Sequence, residues 1–489
     1  MRSLKDIIKD FSATVTNGAP ERVEISSITA DSRKVEKGGL FVAVPGYSSD
    51  GHAYIASAIE KGAAAVIYEK EEAVTGISGD VCLIKVSSSR KALALAASAF
   101  YDYPSRKLKL CGITGTNGKT TTVTLLYRLF MSLGYHCGLL STIANYIGKK
   151  ELQTTNTTSD PVTINHLMAE MVREGCQYCF MEASSIGIEQ ERTSGLDFDI
   201  ALFSNLTHDH LDYHKTFAEY LRCKKLFFDN LGPEAVAIIN LDDKNGRVMV
   251  QNTAAKVITY ALRSVADHRC KVVEESFDGM QLRIDGSEVW TRLIGRHNAY
   301  NLLAVYSAAL ALGAEKDEVL LALSGLEGAK GRLEVIRGPR KLSVIIDYAH
   351  TPDALENVLQ TLRETAPQEH ICCVFGCGGD RDSSKRPEMA AVAEKYADRI
   401  IVTSDNSRSE KTEDIMEDIR KGFSAKGLAK ALFISDRREA IRTAVLTSPE
   451  GAAILLAGKG HETYQIIGEK TYHFDEREIT EEIFKTAAL

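Results

Sequence analysis

Along most of the chain, short apolar runs close on polar clusters. After residue 107, "KLKLCGI" leads into "TGTNGKTT", "CFMEA" into "SS" and "IALFS" into "NLTHDHLDYH". Further on, "LSVIID" meets "YAHTPD", "CCVFG" meets "CGGDRD", "RIIVTS" meets "DNSRSE" and "AAILLAG" meets "KGHE". Continuous apolar runs of this kind read as buried strands, and helical patterns lie between them, so the alternation predicts parallel sheets covered by helices. In open α/β sheets ligands sit in the crevice at the carboxyl ends of the strands. The polar clusters are therefore the expected functional surface. Two such domains, each with its clusters at one end, predict a cleft between them and a multi-ligand enzyme, not a scaffold.

The stretch before residue 105 has a different texture. "GGLFVAVPG", "AAAVIYE" and "VCLIKV" predict short strands, and Leu4, Ile7, Ile8 and Phe11 fall at helical spacing. A longer helix over "SRKALALAASAFYDYP" is expected to stop at Pro104. "RGPRK" at 337–341 reads as a linker. The fold class is thus α/β with three domains. A small mixed α/β domain over 1–105 precedes a central P-loop-type parallel-sheet domain over 106–337 and a Rossmann-like domain over 338–489.

Composition narrows the functional classes. Of 489 residues, 44% are apolar and 26% charged, ample for several cores without metal or disulfide staples. A net charge of −7 argues against a nucleic-acid partner, and anionic substrates would need local arginines. No segment approaches the roughly 20 apolar residues of a membrane span, and the start has no signal-peptide core. Ten cysteines are scattered, and Cys176 and Cys179 have redox or zinc spacing without a second ligand pair. Buried structural thiols in a reducing, cytoplasmic compartment are the expectation.

"GITGTNGKTT" carries the strongest chemical signal. Ile113 occupies the first-glycine position of the strict G-x4-G-K-[ST] motif, with Gly112 and Gly115 flanking it. A strand, a turn whose glycines free backbone N–H groups, and a helix N-terminus still follow in order, as phosphate binding requires. Gly115, Thr116, Asn117, Gly118, Lys119, Thr120 and Thr121 form the candidate nucleotide loop. Lys119 would neutralise the β- and γ-phosphates and Thr120 would offer its hydroxyl to Mg²⁺.

With "NLTHDHLDYH" about ninety residues beyond "GTNGKTT" and "GKGHE" near the end, the chain resembles the Mur ligase family over its whole length. The resemblance implies an ATP-dependent amide ligase of bacterial peptidoglycan precursor synthesis, cytoplasmic and monomeric. Its substrates would be UDP-MurNAc-L-Ala-D-Glu, an amino acid and ATP, joined through an acyl phosphate with release of ADP and phosphate. Neutralising two anions that must meet calls for cations, as in phosphoryl transfer generally, and two Mg²⁺ ions are implied.

The same resemblance assigns residues. Glu182 and His210 would join Thr120 as metal ligands, whereas His208 and His214 read as part of a surface loop. Lys224 in the helix "FAEYLRCKKLFFDN" would be carbamylated by CO2, which needs a neutral amine favoured by burial. Lys225 is expected on the solvated face. Ser32 of "TADSRKV", with "GYSS" at 46–49 nearby, would meet the uridine nucleotide. Asn156, Thr157, Thr158, Ser184, Gln190 and Arg192 would grip the peptide end. Each of these polar runs could equally be a cap or turn. Ile186 stands where many relatives have histidine. Asn298, Asn301, Arg332, Asp347 and His350 would serve ATP, a buried core place for His350 being the alternative.

"TSDNSRSE" bears on the amino acid. Asp405, Asn406, Ser407 and Arg408 match the Asp-Asn-Pro-Arg of family members that use meso-2,6-diaminopimelate, with serine in place of proline. Diaminopimelate carries a second carboxylate that lysine lacks, and an arginine fork meets a carboxylate with two charge-assisted bonds. Arg381, Gly458 and Glu462 would hold the other end, with Arg386 competing for the role of Arg381. The rivals are a lysine-adding ligase of the same family, a folylpolyglutamate-synthase-like ligase and a P-loop switch that hydrolyses ATP without ligation.

Overall fold

The computed structural model describes residues 1–46, 49–77, 79–154, 156–207 and 211–487. The chain is a three-domain α/β protein that falls into two compact units. One comprises residues 1–269 with 301–322, the other 270–300 with 323–489.

The first unit opens with a five-stranded sheet in the order Thr14–Asn17, Cys82–Lys85, Ala65–Tyr68, Leu40–Val42, Ile28–Thr29. Thr14–Asn17 is antiparallel to its neighbour and the others are parallel. Only Leu4–Ile8 of the first predicted helix forms, burying Leu4 and Ile7. The helix Ser89–Phe100 is capped by Ser88, which accepts from the Lys91 N–H, and the chain turns away through left-handed Tyr103 before Pro104.

The central sheet of this unit runs Lys150–Leu152, Asn145–Ile147, Cys137–Leu140, Tyr178–Glu182, Lys109–Thr114, Ile200–Phe203, Val236–Asn240, Lys256–Ala261. The run from Cys137–Leu140 to Lys256–Ala261 is parallel, and a hairpin finishes one edge. Its middle strands are apolar on both faces because helices cover both. Gly112 allows close packing within this core: a Cβ there would stand 2.5 Å from the Phe198 ring and 2.7 Å from that of Phe227. The strand ends Thr114, Glu182 and Phe203 lie side by side, so three polar clusters emerge at one edge.

In the second unit, His268–Ser276 (from Cys270 onward), Gly279–Ile284 and Ser287–Thr291 form an antiparallel meander. A six-stranded sheet follows in the order Glu334–Arg337, Ser343–Asp347, Ala453–Ala457, Ile371–Phe375, Arg399–Val402, Ala431–Phe433. All but the first strand are parallel. The "RGPRK" stretch is not a free linker. It closes the hairpin between Glu334–Arg337 and Ser343–Asp347, with the Gly338 N–H donating to the Leu342 carbonyl at 3.0 Å. All ten cysteines are buried with free thiols. Among the described residues no helix is long and apolar enough to cross a membrane.

Candidate active site

The nucleotide loop leaves the strand Lys109–Thr114 and enters the helix Lys119–Ser132. Gly115 has φ +150° and Gly118 has φ +87°, conformations that favour glycine. Space is equally restrictive, since a Cβ on Gly115 would lie 1.9 Å from Ser204 Oγ and one on Gly118 2.5 Å from Asn301 Oδ1. The loop is fastened to the end of the neighbouring strand. The Thr116 N–H donates to the Asn205 carbonyl at 2.8 Å, the Asn117 N–H to Asn205 Oδ1 at 2.9 Å, and Ser204 Oγ to the Asn117 carbonyl at 2.7 Å. Lys119 Nζ donates to the carbonyls of Gly115 and Thr116 at 2.9 and 2.8 Å. Thr120 and Thr121 are buried in the first helical turn. The bare geometry is a helix N-terminus with a lysine folded over its own glycine loop, which suits a polyphosphate.

Lys224 reaches the same loop from the helix Phe217–Asp229. It is 1% exposed, and its ammonium donates to the Gly115 carbonyl at 2.7 Å and lies 4.6 Å from the Tyr220 ring centre. Lys225 is not the solvated residue expected, for it pairs with Asp229 at 2.5 Å and its side chain is largely covered.

Glu182 ends its strand 1% exposed. One carboxylate oxygen accepts from the Thr142 N–H at 2.8 Å, while Oε2 is buried with no hydrogen-bond partner among the described residues. Its intended companion His210, like His208, lies outside the described residues. His214 is buried, with Nε2 2.9 Å from Ser185 Oγ, so it is not part of a surface loop.

Of the residues expected at the peptide end, Thr157, Thr158, Ser184, Gln190 and Arg192 form one network beside Glu182. Thr158 Oγ1 donates to the Glu182 carbonyl at 2.9 Å and lies 3.0 Å from Ser184 Oγ. Ser184 also caps the helix Ser185–Glu189 by accepting from the Gly187 N–H. Arg192 donates to the Thr158 carbonyl at 2.6 Å and forks onto Gln190 Oε1 at 2.7 and 3.1 Å. Thr157 and Thr142 hydroxyls are 3.1 Å apart, and Asn156 accepts at its carbonyl from Thr154 Oγ1. Ser32 opens a 3-10 turn capped by Asp31 in the connection between the strands Ile28–Thr29 and Leu40–Val42. The Arg33 side chain and N–H hold the Asp31 carboxyl down at about 2. Of "GYSS", residues 47 and 48 lie outside the described residues.

On the helix Arg296–Ala311, Asn298 donates to the Ile294 carbonyl at 2.8 Å and Asn301 Oδ1 accepts from Thr122 Oγ1 at 3.4 Å. In the second unit Asp347 accepts from the N–H groups of Leu333 and Ala349 at 2.8 and 2.9 Å, and burial raises its carboxyl pKa. The Arg332 guanidinium stacks 5.2 Å from the Tyr348 ring. His350 is exposed, not a core histidine, and its ring bonds the Tyr348 carbonyl at 2.8 Å.

Asp405, Asn406 and Ser407 are buried, and Arg408 follows half-buried with φ +50°. Arg408 Nη1 donates to the Gly379 carbonyl at 2.7 Å. Asn406 Nδ2 donates to Glu462 Oε2 at 3.0 Å, and Gly458, at φ +116°, leaves room for Asp405 Oδ2, which a Cβ would meet at 2.9 Å. Arg386 is committed to Glu410 and Asp418 at 2.8 and 2.9 Å, almost wholly buried. Arg381 is exposed and has no hydrogen-bond partner among the described residues. That division leaves Arg381 the available cation of the two.

Family models for the Mur ligase family catalytic domain, the middle domain and the glutamate ligase domain match residues 24–101, 113–309 and 331–460. The chain belongs to the Mur ligase family. It is 51% identical over 483 residues, 99% of both chains, to UDP-N-acetylmuramoyl-L-alanyl-D-glutamate–2,6-diaminopimelate ligase of Cytophaga hutchinsonii. The enzyme of the same name from Parabacteroides distasonis is 50% identical over 99% of both chains. A solved structure of a ligase of that name is similar with a TM-score of 0.74 and 32% identity, covering 100% of this chain and 99% of that one.

This Mur ligase also contains buried charges that the motifs did not single out. Arg437, fully buried, donates to Glu476 Oε1 at 2.8 Å, to the Ser404 carbonyl at 3.0 Å and to the Ala457 carbonyl at 2.8 Å. One guanidinium thereby ties the roots of the "DNSR" and "GKGHE" loops together. Gln465 adds bonds to Ser404 Oγ and the Asp405 carbonyl at 2.9 and 3.1 Å. Lys459 sits between them, 0% exposed. Its position inside "GKGHE" was a visible signal. Arg437 and Glu476 had none, because a lone charge on an amphipathic helix reads as solvated surface.

Proposed function

We propose that this chain joins meso-2,6-diaminopimelate to UDP-MurNAc-L-Ala-D-Glu at the expense of ATP. A carboxylate oxygen of the glutamate attacks the γ-phosphorus, the bond to the β-phosphate oxygen breaks and ADP leaves. The amine nitrogen then attacks the acyl carbon, phosphate leaves with the electron pair, and the amine loses a proton. Lys119 and the glycine loop bind the polyphosphate, and the Thr158–Ser184–Arg192 network orients the glutamate end beside Glu182. Arg408 meets the distal carboxylate of diaminopimelate, with Arg381, Asp405, Asn406, Gly458 and Glu462 around the amino acid. Ser32 serves the uridine nucleotide, and Asn298, Asn301, Arg332, Asp347 and His350 serve ATP. The protein works as a cytoplasmic monomer.

The observation that carries this reading is buried Lys224 on the Gly115 carbonyl at 2.7 Å. A nucleotide loop that only hydrolyses ATP has no use for a second enclosed lysine, whereas its carbamate would give an anion able to order cations there. The residues present fit Mg²⁺: Glu182 Oε2 is a buried carboxylate oxygen with no donor among the described residues, and Thr120 and Thr121 lie in the first turn of the helix that follows the glycine loop. Thr120, Glu182 and His210 would hold it, and when bound it supplies positive charge between the two reacting anions.

Labelling tests the acyl transfer directly. With ¹⁸O in both oxygens of the reacting glutamate carboxylate, each turnover should release phosphate carrying one ¹⁸O. Unlabelled phosphate would mean simple ATP hydrolysis and would overturn the proposal.

A further inference from the structure

Lys459 is the least expected charge in the second unit. Its side chain is 0% exposed, and an unpaired ammonium there would cost several kcal/mol. It follows Gly458 directly as the chain leaves the strand Ala453–Ala457. Its ammonium lies 3.2 Å from Glu462 Oε2, 3.3 Å from Asn406 Oδ1 and 3.7 Å from Asp405 Oδ1. The Tyr464 and Phe474 rings flank it at 5.6 and 6.0 Å.

We infer that Lys459 is a positioning residue for the amino-acid subsite, holding Glu462 and Asn406 in the orientation that receives an ammonium group of the substrate. The inference rests on the ligase reading above. Hydrogen-bond bookkeeping supports it. Asn406 Oδ1 accepts from the Ile466 N–H at 2.9 Å as well as from Lys459, which fixes the amide so that Nδ2 must donate to Glu462. Glu462 Oε2 therefore takes two donors, and Oε1 has none among the described residues. Asp405 Oδ1 accepts its own neighbour's N–H, from Asn406, at 2.7 Å.

Charge balance points the same way. Asp405 and Glu462 together carry two negative charges, and buried Lys459 cancels one, leaving a single charge to match one ammonium. Without Lys459, the two acids would repel each other in a poorly solvated site, and Glu462 would lose the donor that turns Oε1 outward. The residue need not touch the amino acid; it acts through Glu462 and Asn406.

Steady-state kinetics of the full chain test this with wild type, K459M, E462Q and the double variant. K459M should raise the KM for diaminopimelate about 30-fold or more, the scale expected when one partner of a buried charge pair is removed. The KM values for ATP and for the UDP-sugar dipeptide should move less than about twofold, a split that a general loss of structure would not give. In the double variant the effects should fall well short of multiplying, because E462Q removes the charge that Lys459 balances. Should K459M fail to fold, K459Q, which keeps a donor, carries the same comparison. A folded variant with an unchanged diaminopimelate KM, equal rises for all three substrates, or fully multiplicative effects would overturn the proposal alone. A wild type with no diaminopimelate-dependent turnover would overturn the ligase reading and the proposal with it.

Discussion

Lys224 Nζ donates to the carbonyl of Gly115 across 109 positions of sequence, an enclosed bond that helps to join the helix Phe217–Asp229 to the glycine loop. Burial in general favours a neutral amine over an ammonium, and it is the neutral nitrogen that attacks the carbon of CO2, losing a proton as the carbamate forms. Lys224→Ala should abolish ligation, with partial recovery on adding a short carboxylic acid that occupies the vacated space as an anion. Product formation by chromatography reads both effects. An alanine variant of unchanged rate would remove the carbamate from the account.

Gly115 stands where neither backbone nor space admits a side chain. Gly115→Ala places a methyl group 1.9 Å from Ser204 Oγ at a φ of +150°, strain of about 1–3 kcal/mol before any displacement. The loop must shift, so the KM for ATP should rise at least roughly tenfold, since about 1.4 kcal/mol corresponds to one decade. The KM for diaminopimelate should change little. Nucleotide titration by calorimetry checks the first effect, and wild-type affinity for ATP would contradict it.

Arg408 is fixed through Nη1 on the Gly379 carbonyl, which leaves the other face of its fork for a carboxylate. Removing such a partner costs about 2–5 kcal/mol. Arg408→Ala should therefore raise the KM for diaminopimelate roughly 10²-fold and narrow its advantage over lysine, with ATP binding unaffected. Equal losses for ATP and diaminopimelate would deny Arg408 its assigned role.

His461 bears on acid stability. Burial, with the nearby Arg332 charge, holds its imidazole down at about 4 against an ordinary 6.5. Nδ1 is buried without a hydrogen-bond partner among the described residues, and the ring lies 5.0 Å from that of Tyr348. Because the unfolded chain binds this proton more readily, the folded state loses stability as pH falls from about 6.5 towards 4. Between pH 7 and 5 the loss attributable to this group should be about 1–2 kcal/mol. Urea melts at both values should show a smaller difference in His461→Gln. An identical difference in the variant would assign the acid sensitivity elsewhere.

Much of the architecture was readable because buried parallel strands announce themselves as unbroken apolar runs, as in "CFMEA" and "AAILLAG". The meander over 268–291 was not, since its two outer strands are exposed or half-buried at most positions and mix charged with apolar residues, and only Gly279–Ile284 between them is largely buried. The loop glycines were legible by order, yet the reason for each was not. Gly112 is set by the Phe198 ring and Gly115 by Ser204, partners 86 and 89 positions away in a sequence that shows no pairing. His214 and Lys225 looked solvated because neighbouring polar residues surround them, while Ser185 and Asp229 enclose them in space. The "DNSR" loop was visible in the sequence, but not its footing on Arg437.

The acceptor profile at fixed ATP and UDP-MurNAc-L-Ala-D-Glu is the decisive measurement of the ligase reaction. Mass spectrometry of the nucleotide-sugar product should find meso-diaminopimelate joined by an amide, with ADP formed in equal amount and lysine used far more slowly. ADP appearing at the same rate without any amino acid, and no new amide, would contradict it.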